Sequence, residues 1–232
     1  MAVASAIPFS LLLLMRITGM MAAMLVVVWV VHFRGGMTLI SEDQGLIRNV
    51  HPVLMLVGLI LLNGEAMLIY KTALGTKNYK KVLHLVLQAF ALALGVTGIW
   101  AAYKFHNDKG IGGFYSLHSW LGLACILLFG IQWLAGFASF WNTRSGRINK
   151  HTVLPWHSFL GLYIYGLAVA AAETGFLERL TFLQASRTIS RDSLEALVVN
   201  CLGLVLALLS GCVILCAITP RMSKDDVYRA LQ

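Results

Sequence analysis

Apolar runs recur six times along the chain, separated by short polar stretches. They predict membrane-crossing helices over residues 9–31, 50–70, 81–104, 117–141, 155–172 and 194–218. A hydrocarbon layer about 30 Å thick needs about 20 residues at a rise of about 1.5 Å each, which every run meets to within a few residues. Turn signals fall between the runs: Arg34-Gly35-Gly36, Gly75 to Asn78, Lys109 to Gly113 and Asn142 to Gly146. None of these connections has room for a soluble domain. The expectation is therefore one all-α membrane domain over residues 1–232. The first run is too long for the core of a signal peptide and has no basic segment before it, so it is expected to remain as a helix.

Composition agrees with a bilayer as solvent: 59% of the 232 residues are hydrophobic and 12% charged. The mean hydropathy is +0.78. Lys and Arg divide ten against seven between the two faces, which places both termini and the 2–3 and 4–5 connections in the cytosol. A net charge of +8 spread over two faces is not the single basic stripe of a nucleic-acid binder, and points to anionic lipid and small anions. Arg16, inside the first run, is expected to snorkel to the headgroups, with pairing to a buried acid as the alternative. Cys125, Cys201, Cys212 and Cys216 all lie in apolar runs and predict no disulfide.

Four histidines stand at the ends of these runs. In a six-helix chain, His51 and His118 open helices two and four at the non-cytosolic face, while His84 and His157 lie in the first turns of helices three and five at the cytosolic face. The intervals, 67 residues from His51 to His118 and 73 from His84 to His157, suggest that helices 2–3 and 4–5 are parallel repeats about the membrane normal. A central bundle of helices two to five follows, flanked by helices one and six.

One membrane histidine is ordinarily a helix–helix hydrogen-bonding group. Two pairs at matched depths, with no Cys, Met or carboxylate beside them, suit axial ligation of two b-type haems better than zinc, which needs further ligands. Gly58, Gly122 and Gly161 leave room on the histidine faces. Propionates need water or cations, and Lys71, Lys81 and Lys224 are the candidates on the cytosolic side, with backbone donors from Gly113 to Ser116 on the other. The irons would then lie about 20 Å apart, suitable for electron transfer across the membrane.

Ser116-Leu117-His118-Ser119-Trp120 reproduces the outer SLHSW motif of the eukaryotic cytochrome b561 family, and Ala66 to Leu74 is similar to its cytosolic ALLVYRVFR motif. There the alanine, one leucine and the tyrosine are kept, Lys71 replaces the first arginine, and the last three positions diverge. A lysine cannot make an arginine's two-pronged contact. The chain resembles this family over nearly its whole length.

The resemblance implies an oxidoreductase that takes electrons from cytosolic ascorbate through two bis-histidine haems to monodehydroascorbate or a ferric chelate. It also implies a homodimer in an endomembrane such as the tonoplast, or in the plasma membrane. By the same resemblance, Lys77, Lys81 and Lys150 are ascorbate-site residues, joined by Asn78, which flanks the cytosolic histidines with them. His106, in the loop after helix three, is the outer substrate residue and Tyr115 its neighbour; a histidine there can exchange the proton of ascorbyl chemistry. Glu178, just outside helix five, is a weaker candidate for ordering a donor near an outer propionate. Glu65 and Glu173, acids within or at the edge of helices, are expected to pair, relay protons or be solvated.

Two further readings stay open. The bis-histidine core also fits the cytochrome b subunit of a quinone-using respiratory complex, and four intramembrane histidines without porphyrin fit a proton or metal-ion transporter. Reduction of the isolated chain by ascorbate separates the first, and an absorption spectrum the second.

Overall fold

The computed structural model describes residues 7–141 and 147–220, without the side chains of residues 147–151. Six long helices cross it: α1 Phe9–Phe33, α2 Gln44–Thr72, α3 Lys77–Asp108, α4 Leu117–Trp141, α5 Arg147–Ala185 and α6 Leu194–Ile218. Each is long and apolar enough to span a bilayer. Local chemistry sets several starts. Asp43, Thr76 and Ser193 cap α2, α3 and α6 by accepting from the backbone N–H groups of Gly45, Tyr79 and Ala196. Gly75, at φ +104°, allows the tight return from α2 to α3.

Three helices outrun their expected bounds. α2 begins at Gln44 and not at residue 50, α3 runs from Lys77 to Asp108, and α5 continues to Ala185 instead of stopping near 172. The polar cluster that suggested an end to α5 is absorbed inside it. The Thr174 hydroxyl donates to the carbonyls of Ala170 and Ala171, and the Glu173 carboxylate lies against Gly203 of α6. Glu178 is consequently within α5 and His106 within the last turn of α3, not in a loop.

α2 packs along α3, α3 along α4, α4 along α5 and α5 back against α2, giving the expected four-helix bundle. α1 and α6 pair with each other, and α6 covers α5 and part of α2. Small residues set the closest approach. A Cβ on Gly58 of α2 would come within 2.9 Å of the Ala91 carbonyl oxygen of α3, and one on Gly95 within 2.9 Å of Ile126 of α4. Leu56, Ile60, Tyr165, Leu202 and Leu206 fill the adjoining core and are fully buried.

Arg16 does not simply snorkel: its Nε lies 3.5 Å from the Glu65 carboxylate across the α1–α2 contact. Two opposite charges at one depth in an apolar layer neutralise each other, which accounts for both residues. A buried amide pair joins α2 to α3, Gln88 donating to Asn63 Oδ1 at 3.0 Å while Asn63 donates to the Leu59 carbonyl. All four cysteines are free thiols.

Candidate functional site

The four histidines meet in two pairs across the diagonals of the bundle. His51 of α2 faces His118 of α4 near the end where α3 passes into α4, with ring centres 5.9 Å apart and planes at 85°. His84 of α3 faces His157 of α5 near the end where α2 turns into α3, at 6.2 Å and 69°.

Backbone carbonyls fix which nitrogen is free. His51 Nδ1 lies 3.0 Å from the Gly98 carbonyl of α3, His84 Nδ1 2.7 Å from that of Ala66 in α2, and His118 Nδ1 2.8 Å from that of Ala171 in α5. A carbonyl only accepts, so each of these Nδ1 atoms carries the hydrogen and Nε2 keeps its lone pair. That arrangement orients a metal-ligating imidazole. His157 is positioned by packing: its ring lies against Gly136 of α4 and 5.2 Å from the centre of Phe140.

Two glycines make room for the rings, and the pattern is reciprocal between α4 and α5. A Cβ on Gly175 would stand 2.7 Å from His118 Cε1, and one on Gly136 would stand 2.9 Å from His157 Cε1. Each glycine lies 18 residues after the histidine of its own helix and cradles the histidine of the other. Sequence reasoning missed both, although the repeated interval was there to be read. Of the glycines it did single out, Gly58 serves the α2–α3 contact, while Gly122 and Gly161 meet no side chain or neighbouring helix closer than 3.9 Å.

The spacing fits haem. A metal–imidazole bond of about 2 Å on each side, plus about 1 Å from nitrogen to ring centre, puts the ring centres of two axial ligands about 6 Å apart. Both pairs meet that separation. Among the described residues no three His, Cys, Asp or Glu side chains converge, so neither pair has a third such side chain beside it. Ala66, which receives His84, lies 15 residues after His51 along α2. At the helical rise this sets the pairs about 20 Å apart along the bundle.

At the His84 end, Lys77 and Lys81 share a face of α3 with His84 at intervals of four and three residues. Lys77 is exposed and lines a cavity of about 270 Å³ with Tyr70, Gly75 and Lys80. The Lys81 ammonium lies 4.9 Å from the Trp141 ring centre. Asn78 is exposed and about 100° round the helix from Lys77, so it does not join that face. Lys71 is drawn sideways: its Nζ donates to the carbonyls of Cys216, Ala217 and Thr219 and ties α2 to the end of α6. Lys224 and the side chain of Lys150 lie outside the described residues.

At the other end, His106 Nδ1 lies 2.8 Å from the Ala102 carbonyl, leaving Nε2 available, and its ring stands edge-on to Phe105. The Tyr115 hydroxyl donates to Glu178 at 3.5 Å. Ser116 Oγ accepts from the Ser119 amide and so caps α4, while Gly113 is exposed.

A family model described as eukaryotic cytochrome b561 matches residues 50–183, the segment that holds all four histidines. Over 219 residues, covering 94% of this chain and 95% of the relative, it is 52% identical to transmembrane ascorbate ferrireductase 2 of Arabidopsis thaliana. It is 47% identical over 210 residues to ascorbate-specific transmembrane electron transporter 2 of Zea mays, covering 89% of this chain and 88% of that one. A human transmembrane ascorbate-dependent reductase is 35% identical over 209 residues, 90% of this chain and 80% of its own. With two facing histidine pairs and this match, the chain belongs to the eukaryotic cytochrome b561 family, whose members bind haem.

Proposed function

We propose that the protein is a transmembrane oxidoreductase that carries single electrons from ascorbate at the lysine-bearing end of the bundle to monodehydroascorbate or a ferric chelate at the His106 end. The observation that carries this reading is the presence of two histidine pairs, 5.9 and 6.2 Å between ring centres, near opposite ends of one bundle. Each pair would hold one haem b, and bound haem supplies reversible one-electron chemistry at its iron. The names of the relatives support ascorbate as donor.

The chain's own groups do the rest. Lys77 and Lys81 concentrate an anionic donor at the His84 end, and Lys150 joins them in this reading. Asn78 adds a hydrogen-bonding group at the same helix start. His106, with Nε2 available, accepts or returns the proton that accompanies ascorbyl chemistry, and Tyr115 borders the same surface. The apolar faces of α2 to α5 exclude water between the pairs.

The lysine-bearing end is cytosolic in this reading, with both termini, as the ten-to-seven division of basic residues favours. A homodimer in an endomembrane such as the tonoplast completes it. Purified chain in sided vesicles tests the reading: ascorbate added at the lysine-bearing face should reduce the haem bands within a stopped-flow trace, and ferric chelate on the opposite side should reoxidise them. Vesicles whose spectrum responds only to quinol would contradict it.

A further inference from the structure

The His51 end of the bundle gathers three arginines that the proposed electron path does not use: Arg34, Arg48 and Arg179. Arg34 is neutralised. Its guanidinium donates to one oxygen of the buried Glu195 carboxylate, whose other oxygen accepts Trp29 Nε1 at 2.8 Å. Arg48 and Arg179 are half-buried and form no ion pair among the described residues. They interact electrostatically with each other and with Arg34, Arg48 also with Tyr115 and Glu178, and Arg179 also with Glu195. Two half-buried cations held beside a third are costly in an apolar layer unless an anion joins them.

Their places in the helices say where that anion would lie. Arg48 precedes His51 by three residues, on the same face of α2 and one turn nearer the helix end. Arg179 follows Gly175 by four residues, on the face of α5 that cradles the His118 ring, again one turn nearer the end of the bundle. Both guanidinium groups are steadied by aromatic rings, Arg48 at 4.9 Å from the centre of Phe105 and Arg179 at 5.9 Å from that of Phe182. A planar guanidinium resting on a ring keeps its N–H edges for a two-pronged bond to a carboxylate. In the segment from which backbone propionate contacts were expected, the Ser116 hydroxyl accepts from the Ser119 amide in capping α4 and lies 3.1 Å from the Ser119 hydroxyl, and the Tyr115 hydroxyl donates to Glu178.

We infer that Arg48 and Arg179 form a carboxylate clamp at the edge of the His51–His118 site, filled by the two propionates of the porphyrin bound there. Arg34 is held out of the clamp by Glu195. The inference rests on the proposed haem sites. A carboxylate could also arrive on an anionic electron acceptor, and the test separates the two sources.

Full-length Arg48→Gln and Arg179→Gln chains, with Arg→Lys versions and Lys109→Gln as a basic-residue control, would be purified and titrated electrochemically. The haem held by His51 and His118 is identified by its loss in His51→Ala, and the other haem reports on folding. Removing a cation beside a propionate leaves its negative charge uncompensated, which disfavours adding an electron to the nearby iron. The clamp therefore predicts a lower midpoint for the His51–His118 haem alone, so that it is mostly oxidised at a potential where the unaltered chain is half reduced. The Lys versions should recover part of the shift, and Lys109→Gln should show none.

An unchanged midpoint, with a raised KM for ferric citrate but not for ferricyanide or a cationic acceptor, would assign the carboxylate to the acceptor and overturn the clamp. No change in either quantity would overturn it as well. A preparation with no haem at all would instead defeat the proposed function.

Discussion

The two histidine pairs meet one geometric demand in different surroundings. At the His51–His118 end both rings are hydrogen-bonded through Nδ1 to carbonyls of the neighbouring helix, and the nearby cations are half-buried arginines. At the His84–His157 end one ring is fixed by the Ala66 carbonyl and the other is packed against Gly136 and Phe140, while Lys77 stands exposed at the helix start. An exposed ammonium suits capture of a small anion that must come and go; a half-buried guanidinium suits a permanent carboxylate. The paired-ring geometry is therefore shared between the two ends, and the charge around it differs.

The largest effects should come from the ligands themselves. His84→Ala or His157→Ala is expected to leave one haem per chain, the one held by His51 and His118, and His51→Ala or His118→Ala should leave the other. Pyridine haemochrome content with low-temperature spectra checks this. A single replacement that depleted both haems equally would break the diagonal pairing.

The cradles come next. Gly175→Val places a side chain where a Cβ alone would already stand 2.7 Å from the His118 ring, and Gly136→Val does the same at 2.9 Å from His157. Overpacking of this kind costs about 1–3 kcal/mol. Gly175→Val should therefore weaken haem retention at the His51 end and Gly136→Val at the His84 end, each read by competition with apomyoglobin. The opposite assignment of ends would undo the reciprocal α4–α5 arrangement.

Changes at the surfaces should alter rates and leave spectra intact. Lys81→Ala is expected to slow reduction by ascorbate about tenfold, the scale on which a local field raises encounter with an anion. His106→Ala should slow reoxidation from the opposite side by about tenfold to a hundredfold, as loss of a proton-transfer group does. Stopped-flow traces in sided vesicles report both, and equal slowing from both sides would deny the division of labour. The smallest effect belongs to Lys71→Ala, which removes the tie from α2 to the Cys216, Ala217 and Thr219 carbonyls. Faster hydrogen exchange in the last turn of α6, without change in either haem, is the expected outcome.

The number of helices and the pairing of His51 with His118 and His84 with His157 were legible because hydropathy sets the spans and alternation of direction sets the depths. The length of α5 was not. Glu173, Thr174, Glu178 and Arg179 look like the rim of a span until the place of Glu173 against Gly203 of α6, the bonds of Thr174 to its own backbone, the Tyr115 contact of Glu178 and the Phe182 contact of Arg179 are known. Lys71 was equally opaque, since its carbonyl partners lie about 145 residues away and no local pattern announces them. Arg48 and Arg179 carried a readable sign, one turn from His51 and from Gly175, but only once the role of Gly175 was visible.

The central claim is that two imidazole pairs each grip one porphyrin. Electron paramagnetic resonance and optical spectra of the purified chain, with haem quantified per polypeptide, test it most directly. The expected result is two low-spin bis-imidazole haems per chain, both reducible by ascorbate. A protein purified from haem-replete cells with no Soret band, or with high-spin iron and one haem per chain, would contradict the account.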